Sequence, residues 1–102
     1  MNETPQVVTI AGHDSDGSAG MPADLHSFYA RKVYGMGIMT AAVAGNSYGI
    51  DAAQVMPPDF IAQQFDTLHQ DFVIKACKTG MLADSATIEV VAAKLSTYDL
   101  GL

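Results

Sequence analysis

The stretch Thr9-Ile10-Ala11-Gly12-His13-Asp14-Ser15-Asp16-Gly17-Ser18-Ala19-Gly20-Met21-Pro22-Ala23-Asp24 constrains the fold more than any other part of the chain. Val7 to Ala11 is a short, largely β-branched apolar run and reads as a strand buried on both faces. It breaks at Gly12 into a polar loop, and Pro22 marks the first turn of a helix beyond it. Gly12, Gly17 and Gly20 let the backbone reach positive φ or approach a ligand without a Cβ in the way. Strand, glycine-bearing loop and helix start together form a small-molecule site, because a helix start offers unpaired N–H donors and the positive end of its dipole.

Two phosphate loops fail against this stretch. Gly12 and Gly17 have the spacing of G-x-x-x-x-G-K-[ST], but Ser18 stands where the lysine must be. Gly17 and Gly20 fit the second half of G-x-G-x-x-G, but Ser15 occupies the place of the first glycine. Asp14 and Asp16 also make a poor cradle for a triphosphate. They suit an uncharged ring or the neighbourhood of a metal.

Downstream, Met21, Leu25 and Phe28 form an apolar stripe on a helix that ends near Lys32. Gly35 and Gly37 are read as bracketing a turn into a second buried strand, Ile38 to Ala44. Gly45 to Gly49 is a turn-rich loop, and Ala52 to Met56 a short extended excursion. Pro57-Pro58-Asp59 opens a helix whose stripe is Ile61, Phe65, Leu68 and Phe72. Phe72 to Thr79 reads as the third strand, ended by Gly80. Asp84 caps a last helix with the stripe Ile88, Val91, Ala92 and Leu95, and Tyr98 to Leu102 turns towards a further strand. Strands alternating with helices imply an α/β chain of parallel β-α-β units, in which ligands collect beyond the carboxyl ends of the strands. Gly12–Ala19, Gly45–Gly49 and Gly80-Met81 all lie there, so three loops are expected to converge on one rim.

Composition narrows the class. Of 102 residues, 49% are hydrophobic and 16% charged, which suits a folded domain, and the net charge of −6 disfavours nucleic-acid backbones and anionic membranes as partners. No apolar run is long enough for a membrane span, and the single cysteine, Cys77, fits a reducing cytoplasm.

The motifs T-I-A-G-x-D-S-x-G-x-A-G-x-x-A-D-L, V-Y-G-M and K-T-G-M-L, in that order between about Val7 and Leu95, resemble the hydroxymethylpyrimidine/pyridoxal kinase group of the ribokinase-like superfamily. The resemblance implies a doubly wound ribokinase-like sheet, here truncated. It also implies ATP- and Mg2+-dependent phosphorylation of a hydroxymethyl group on a small heteroaromatic ring, commonly by a homodimer. Such kinases are well over twice this length, and their second half carries the nucleotide-binding loop and the catalytic base. Residues 1–102 are therefore expected to be the N-terminal, acceptor-binding part of a kinase. No catalytic residue is expected in this chain, and none that binds ATP or Mg2+.

Carried over by the resemblance, Asp24 is an anchor for ring substituents, against the plainer reading of a partner for the helix dipole in the first turn. Gly12 and Ala19 become close-contact positions of the pocket, and Val43 and Met81 its apolar walls, although apolar residues at strand ends commonly serve only the core. Gly45 is the departure. Members acting on the pyrimidine read A-Q-N where this chain has Ala44-Gly45-Asn46, and glycine has no amide to pair with an exocyclic amine. With K-T-G-M-L, this favours pyridoxal over hydroxymethylpyrimidine as the acceptor.

His13, Asp14 and Asp16 are packed too tightly in sequence to encircle one ion. The His13 side chain faces either the pocket or solvent. His26 and His69 are expected on exposed helix faces, Cys77 as a small buried residue, and Lys78 as a candidate balance for the loop carboxylates. Two other classes stay open: a non-catalytic binding module with the same ring pocket, and a doubly wound regulatory domain holding magnesium at Asp14 and Asp16.

Overall fold

A computed structural model describes residues 4–100. Its elements are β1 (Gln6–Asp14), α1 (Gly20–Ala30), β2 (Tyr34–Asn46), β3 (Gly49–Val55), α2 (Pro58–His69), β4 (Ile74–Thr79) and α3 (Ser85–Thr97). They form one sheet of order β3-β2-β1-β4. β1 lies between β2 and β4 and is parallel to both, while β3 folds back antiparallel on β2.

The alternation of side chains across the pleat splits this sheet into two unlike faces. Val8 and Ile10 of β1, Met36 and Ile38 of β2 and Ile74 of β4 form the main core with Ile61 and Phe65 of α2, Val91 of α3 and Leu100. The opposite face carries α1. There β2 presents Gly35 and Gly37, and the expected turn at these glycines is not found: both lie within the strand. Their role is spatial. A Cβ on Gly35 would fall 2.6 Å from Phe28 Cδ2, and one on Gly37 would collide with the Met21 thioether. The two glycines are a shallow seat for the Met21–Leu25–Phe28 stripe.

β1 does not break at Gly12. It continues to Asp14 because Gly12, His13 and Asp14 go on pairing with Ala41, Ala42 and Val43 after a bulge at Ala11/Gly12. Opposite the bulge, α2 supplies what the ladder omits: the Gln64 side chain accepts from Met39 N–H at 2.8 Å and donates to Met39 C=O at 2.9 Å. The expected extended excursion is β3, turned by Asn46, whose side-chain oxygen accepts the Tyr48 N–H. Every residue of β3 is exposed.

The helix ends follow local chemistry. α1 stops in a Schellman arrangement: Val33 N–H bonds Phe28 C=O, Lys32 N–H bonds Tyr29 C=O, and Lys32 adopts φ 62°. α2 ends at His69, so Phe72 lies past it and stacks on Tyr34 at 6.1 Å. Asp84 caps α3 by accepting Thr87 N–H at 2.8 Å. The α3 stripe is rotated in part from expectation: Val91 is buried and Leu95 packs on the core as expected, but Ile88 and Ala92 are exposed and Thr87 is buried instead. Val91 enters the core with Val90 and Leu95 packed against it, and Asp66 of α2 ties the end of α3 by accepting from the Lys94 ammonium at 2.7 Å and the Tyr98 hydroxyl at 2.5 Å. Leu100 then enters the core, while residues 101 and 102, the last two of the expected turn, lie outside the described residues. Cys77 is half-buried rather than buried, with burial pushing its thiol up. No helix is long and apolar enough to cross a membrane among the described residues.

Candidate functional site

The three expected loops do meet at the carboxyl ends of β1, β2 and β4. Gly12, Val43 and Met81 come together there: a Cβ on Gly12 would lie 2.7 Å from Met81 Cε and 3.6 Å from Val43 Cγ2. Met81 is tied to β2 by its carbonyl, which accepts the Thr40 hydroxyl at 2.8 Å. Gly45 joins through Ser15, whose hydroxyl donates to the Gly45 carbonyl at 2.8 Å and accepts the Gly45 N–H at 2.9 Å. A Cβ on Gly45 would sit 2.7 Å from Asp14 Oδ1, so that carboxylate borders the space a longer side chain at 45 must enter.

The loop between β1 and α1 doubles back on the strand it leaves. Gly20, at φ +65°, bridges His13, and a Cβ there would lie only 2.5 Å from the Gly12 carbonyl oxygen, so this position requires glycine. Ala19 is the extended residue ahead of α1, exposed and without a capping side chain. The loop's own carboxylates accept its N–H groups: Asp16 takes Ser18 N–H at 2.7 Å and Asp14 accepts the Asp16 N–H, and the Ser18 hydroxyl together with its N–H holds the Asp16 carboxyl below its ordinary range. A loop that spends its N–H donors on its own two carboxylates does not fit a nucleotide triphosphate. Among the described residues no group of three or more His, Cys, Asp or Glu side chains is arranged to hold a metal ion.

Beside the rim, between the end of β1 and the β2–β3 hairpin, lies an open hollow of about 330 Å3 bordered by His13, Ser15, Val43, Ala44, Ala53 and Gln54. His13 therefore faces this hollow. Of the six candidate residues only Val43 lines it directly, with Gly12 and Met81 against Val43.

Asp24 stands apart. It lies in the second turn of α1, not the first, so it is no partner for the helix N-terminus. Its carboxylate accepts the buried Thr9 hydroxyl at 2.7 Å and is met by Lys78 Nζ at 2.8 Å from each oxygen. Burial acts to raise its pKa, but the hydrogen bonds from Lys78 and Thr9, with the lysine charge, outweigh that and hold the carboxyl below its ordinary value. Lys78 thus balances Asp24 rather than the loop carboxylates. Sequence reasoning missed this triad because its signal is the β1–β4 register, which sets Thr9 beside Lys78. His26 and His69 are exposed, and His69 stacks on Tyr98 at 4.0 Å.

Known proteins share both the sequence and this geometry. Residues 14–102 match the family model described as phosphomethylpyrimidine kinase. The chain is 42% identical over 93 residues to the hydroxymethylpyrimidine/phosphomethylpyrimidine kinase of Escherichia coli K12, covering 91% of this chain and 35% of that protein. It superposes on the phosphomethylpyrimidine kinase crystal structure from Clostridium difficile 630 with TM-score 0.91 and 34% identity, over 94% of this chain and 42% of that one. A pyridoxal kinase from Staphylococcus aureus, in complex with AMP-PCP and pyridoxal, superposes with TM-score 0.83 and 31% identity, over 96% of this chain and 37% of that one. In each case the chain spans less than half of the relative's length. These matches bear out the ribokinase-like α/β reading, and the chain belongs to the phosphomethylpyrimidine kinase family.

Proposed function

We propose that this chain is the acceptor-binding part of an ATP-dependent kinase that phosphorylates the hydroxymethyl group of hydroxymethylpyrimidine or its phosphate. The observation that carries the reading is the meeting of Gly12, Val43 and Met81 at one rim, under a loop that Gly20 folds back on β1. A flat ring needs such a place: no side chain at Gly12 to lift it, and two apolar walls beside it. On this reading Asp24, held by Thr9 and Lys78, is the anchor for ring substituents, and Ala19 and Gly45 are further contact positions. The pyrimidine replaces pyridoxal as the favoured acceptor because the matched family and the Escherichia coli relative carry the pyrimidine's name. Pyridoxal remains the second reading, favoured by Gly45, which has no amide to offer and faces Asp14 instead.

Phosphoryl transfer depends on positioning the phosphates and neutralising their charge. The β1–α1 loop fits neither task, so ATP, Mg2+ and the catalytic base belong to a C-terminal half that completes the kinase, as a cytoplasmic homodimer. A chimaera tests this: the present chain replaces the matching 35% of the Escherichia coli kinase. ATP-dependent phosphorylation of hydroxymethylpyrimidine faster than of pyridoxal is the expected result, with no turnover by the 102-residue chain alone. A folded chimaera that phosphorylates neither alcohol returns the chain to the class of non-catalytic binding modules.

A further inference from the structure

We propose that Lys78 is a positioning residue: with Thr9 it fixes Asp24 as an ionised acceptor that keeps one oxygen position open for a hydroxyl or amino group of the acceptor ring. This rests on the reading of Asp24 as the ring anchor and adds how that anchor is held.

A carboxylate has about four acceptor positions. Thr9 takes one on Oδ2, and Lys78 approaches both oxygens equally at 2.8 Å, which leaves Oδ1 the less crowded of the two. Thr9 is fully buried, so its hydroxyl cannot swing out to water, and it fixes the carboxylate from below. Lys78 approaches from the rim side: a Cβ on Gly80, just past the end of β4, would lie 3.8 Å from its Nζ. The Lys78 side chain is 51% exposed and that of Asp24 16%, so a solute reaches the pair without unfolding anything. An ion pair this open adds little to stability. Its effect on the carboxylate is larger, because burial of Asp24 favours the neutral acid and the lysine reverses that preference. Among the described residues, the groups acting on Asp24 are Lys78 from β4 and Thr9 from β1.

The test uses the 102-residue chain and 4-amino-5-hydroxymethyl-2-methylpyrimidine as the probe, with binding and the Asp24 carboxyl titration both followed by NMR. Lys78→Met should weaken the probe about tenfold, the scale of one charge-assisted hydrogen bond, and move the Asp24 midpoint upward. Lys78→Arg should restore most of both, and Asp24→Asn should weaken the probe as much as Lys78→Met. If Asp24→Asn weakens the probe while Lys78→Met binds as the wild type does, the positioning role is wrong and the anchor stands. If Asp24→Asn binds unchanged, or the wild type takes up no probe at millimolar concentration, the anchor falls and this inference with it. Should Lys78→Met fail to fold, the wild type decides: an Asp24 midpoint at or above the ordinary aspartate value overturns the proposal.

Discussion

Replacing Gln64 by leucine removes a side chain that acts as a strand edge. Its amide makes a matched pair of hydrogen bonds with the Met39 peptide, at 2.8 and 2.9 Å, where β2 has no neighbour on that side. β3 begins to pair only at Ala41, and β1 occupies the opposite edge. Each such bond contributes about 1 kcal/mol net, so losing both costs about 2 kcal/mol, and water reaching the half-exposed site lowers the figure towards 1. Leucine keeps the volume and the packing on α2, which isolates the polar loss. With a urea m-value of about 1–2 kcal/mol/M for a chain of this size, the midpoint should fall by about 1 M at unchanged slope. The Met39 amide should exchange faster in the same variant. Gln64→Glu separates donor from shape: at neutral pH it sets a carboxylate against the Met39 carbonyl and should be at least as harmful as leucine. That penalty should shrink on acidification, as the carboxylic acid regains a proton to donate. A midpoint within about 0.2 M of wild type for both variants would refute the argument that this amide completes the sheet.

Other predictions follow from local geometry. Lys32 holds a left-handed conformation at the end of α1, so Lys32→Gly should stabilise the fold by about 0.5–1 kcal/mol, read as a higher urea midpoint. Asp24, Asp66 and Asp84 all have folded pKa values below their ordinary ones, so the stability they confer is complete above about pH 4 and lost as pH falls through the folded values. The Asp84 shift comes from the Thr87 N–H that it caps, and the Asp66 shift from Lys94 and Tyr98. Lys94 and Tyr98 are both raised, chiefly by their bonds to Asp66, so the stability they confer is lost as pH climbs past about 10. Melting temperature should therefore be flat in between and fall on both sides, and Asp66→Asn should lower the plateau and flatten the alkaline fall. In the chimaeric kinase, Gly45→Gln should raise turnover of the pyrimidine relative to pyridoxal; an unchanged ratio of kcat/KM would remove position 45 from substrate choice.

Much of the fold was legible because its signals are local. The Val7–Ala11 run, the Met21–Leu25–Phe28 stripe and the Asp84 cap each depend on neighbours within a few residues, and each holds. Gly35 and Gly37 misled because glycine marks a turn and a close approach with the same letter, and only the position of α1 separates the two. The rotation of α3 was equally out of reach, since it depends on packing against the core and on contacts such as Lys94 with Asp66, 28 residues earlier. At the site, the approach of Gly12 and Met81 followed from strand-end reasoning, whereas Val43 was legible only through the family resemblance. The engagement of Asp24 followed from neither, because Lys78 lies 54 residues away and its approach depends on the register of β4 against β1.

The glycine seat on β2 has a mechanical consequence. Dispersion attraction falls so steeply that a gap of about 0.5–1 Å forfeits a quarter to a half of it. Phe28 and Met21 rest directly on bare backbone at Gly35 and Gly37, with no intervening side chain to deform and follow them. α1 is therefore clamped at one depth rather than cushioned, and it carries Gly20 and Asp24 with it. Stiffness at the rim begins under α1, at two residues that have no side chain at all.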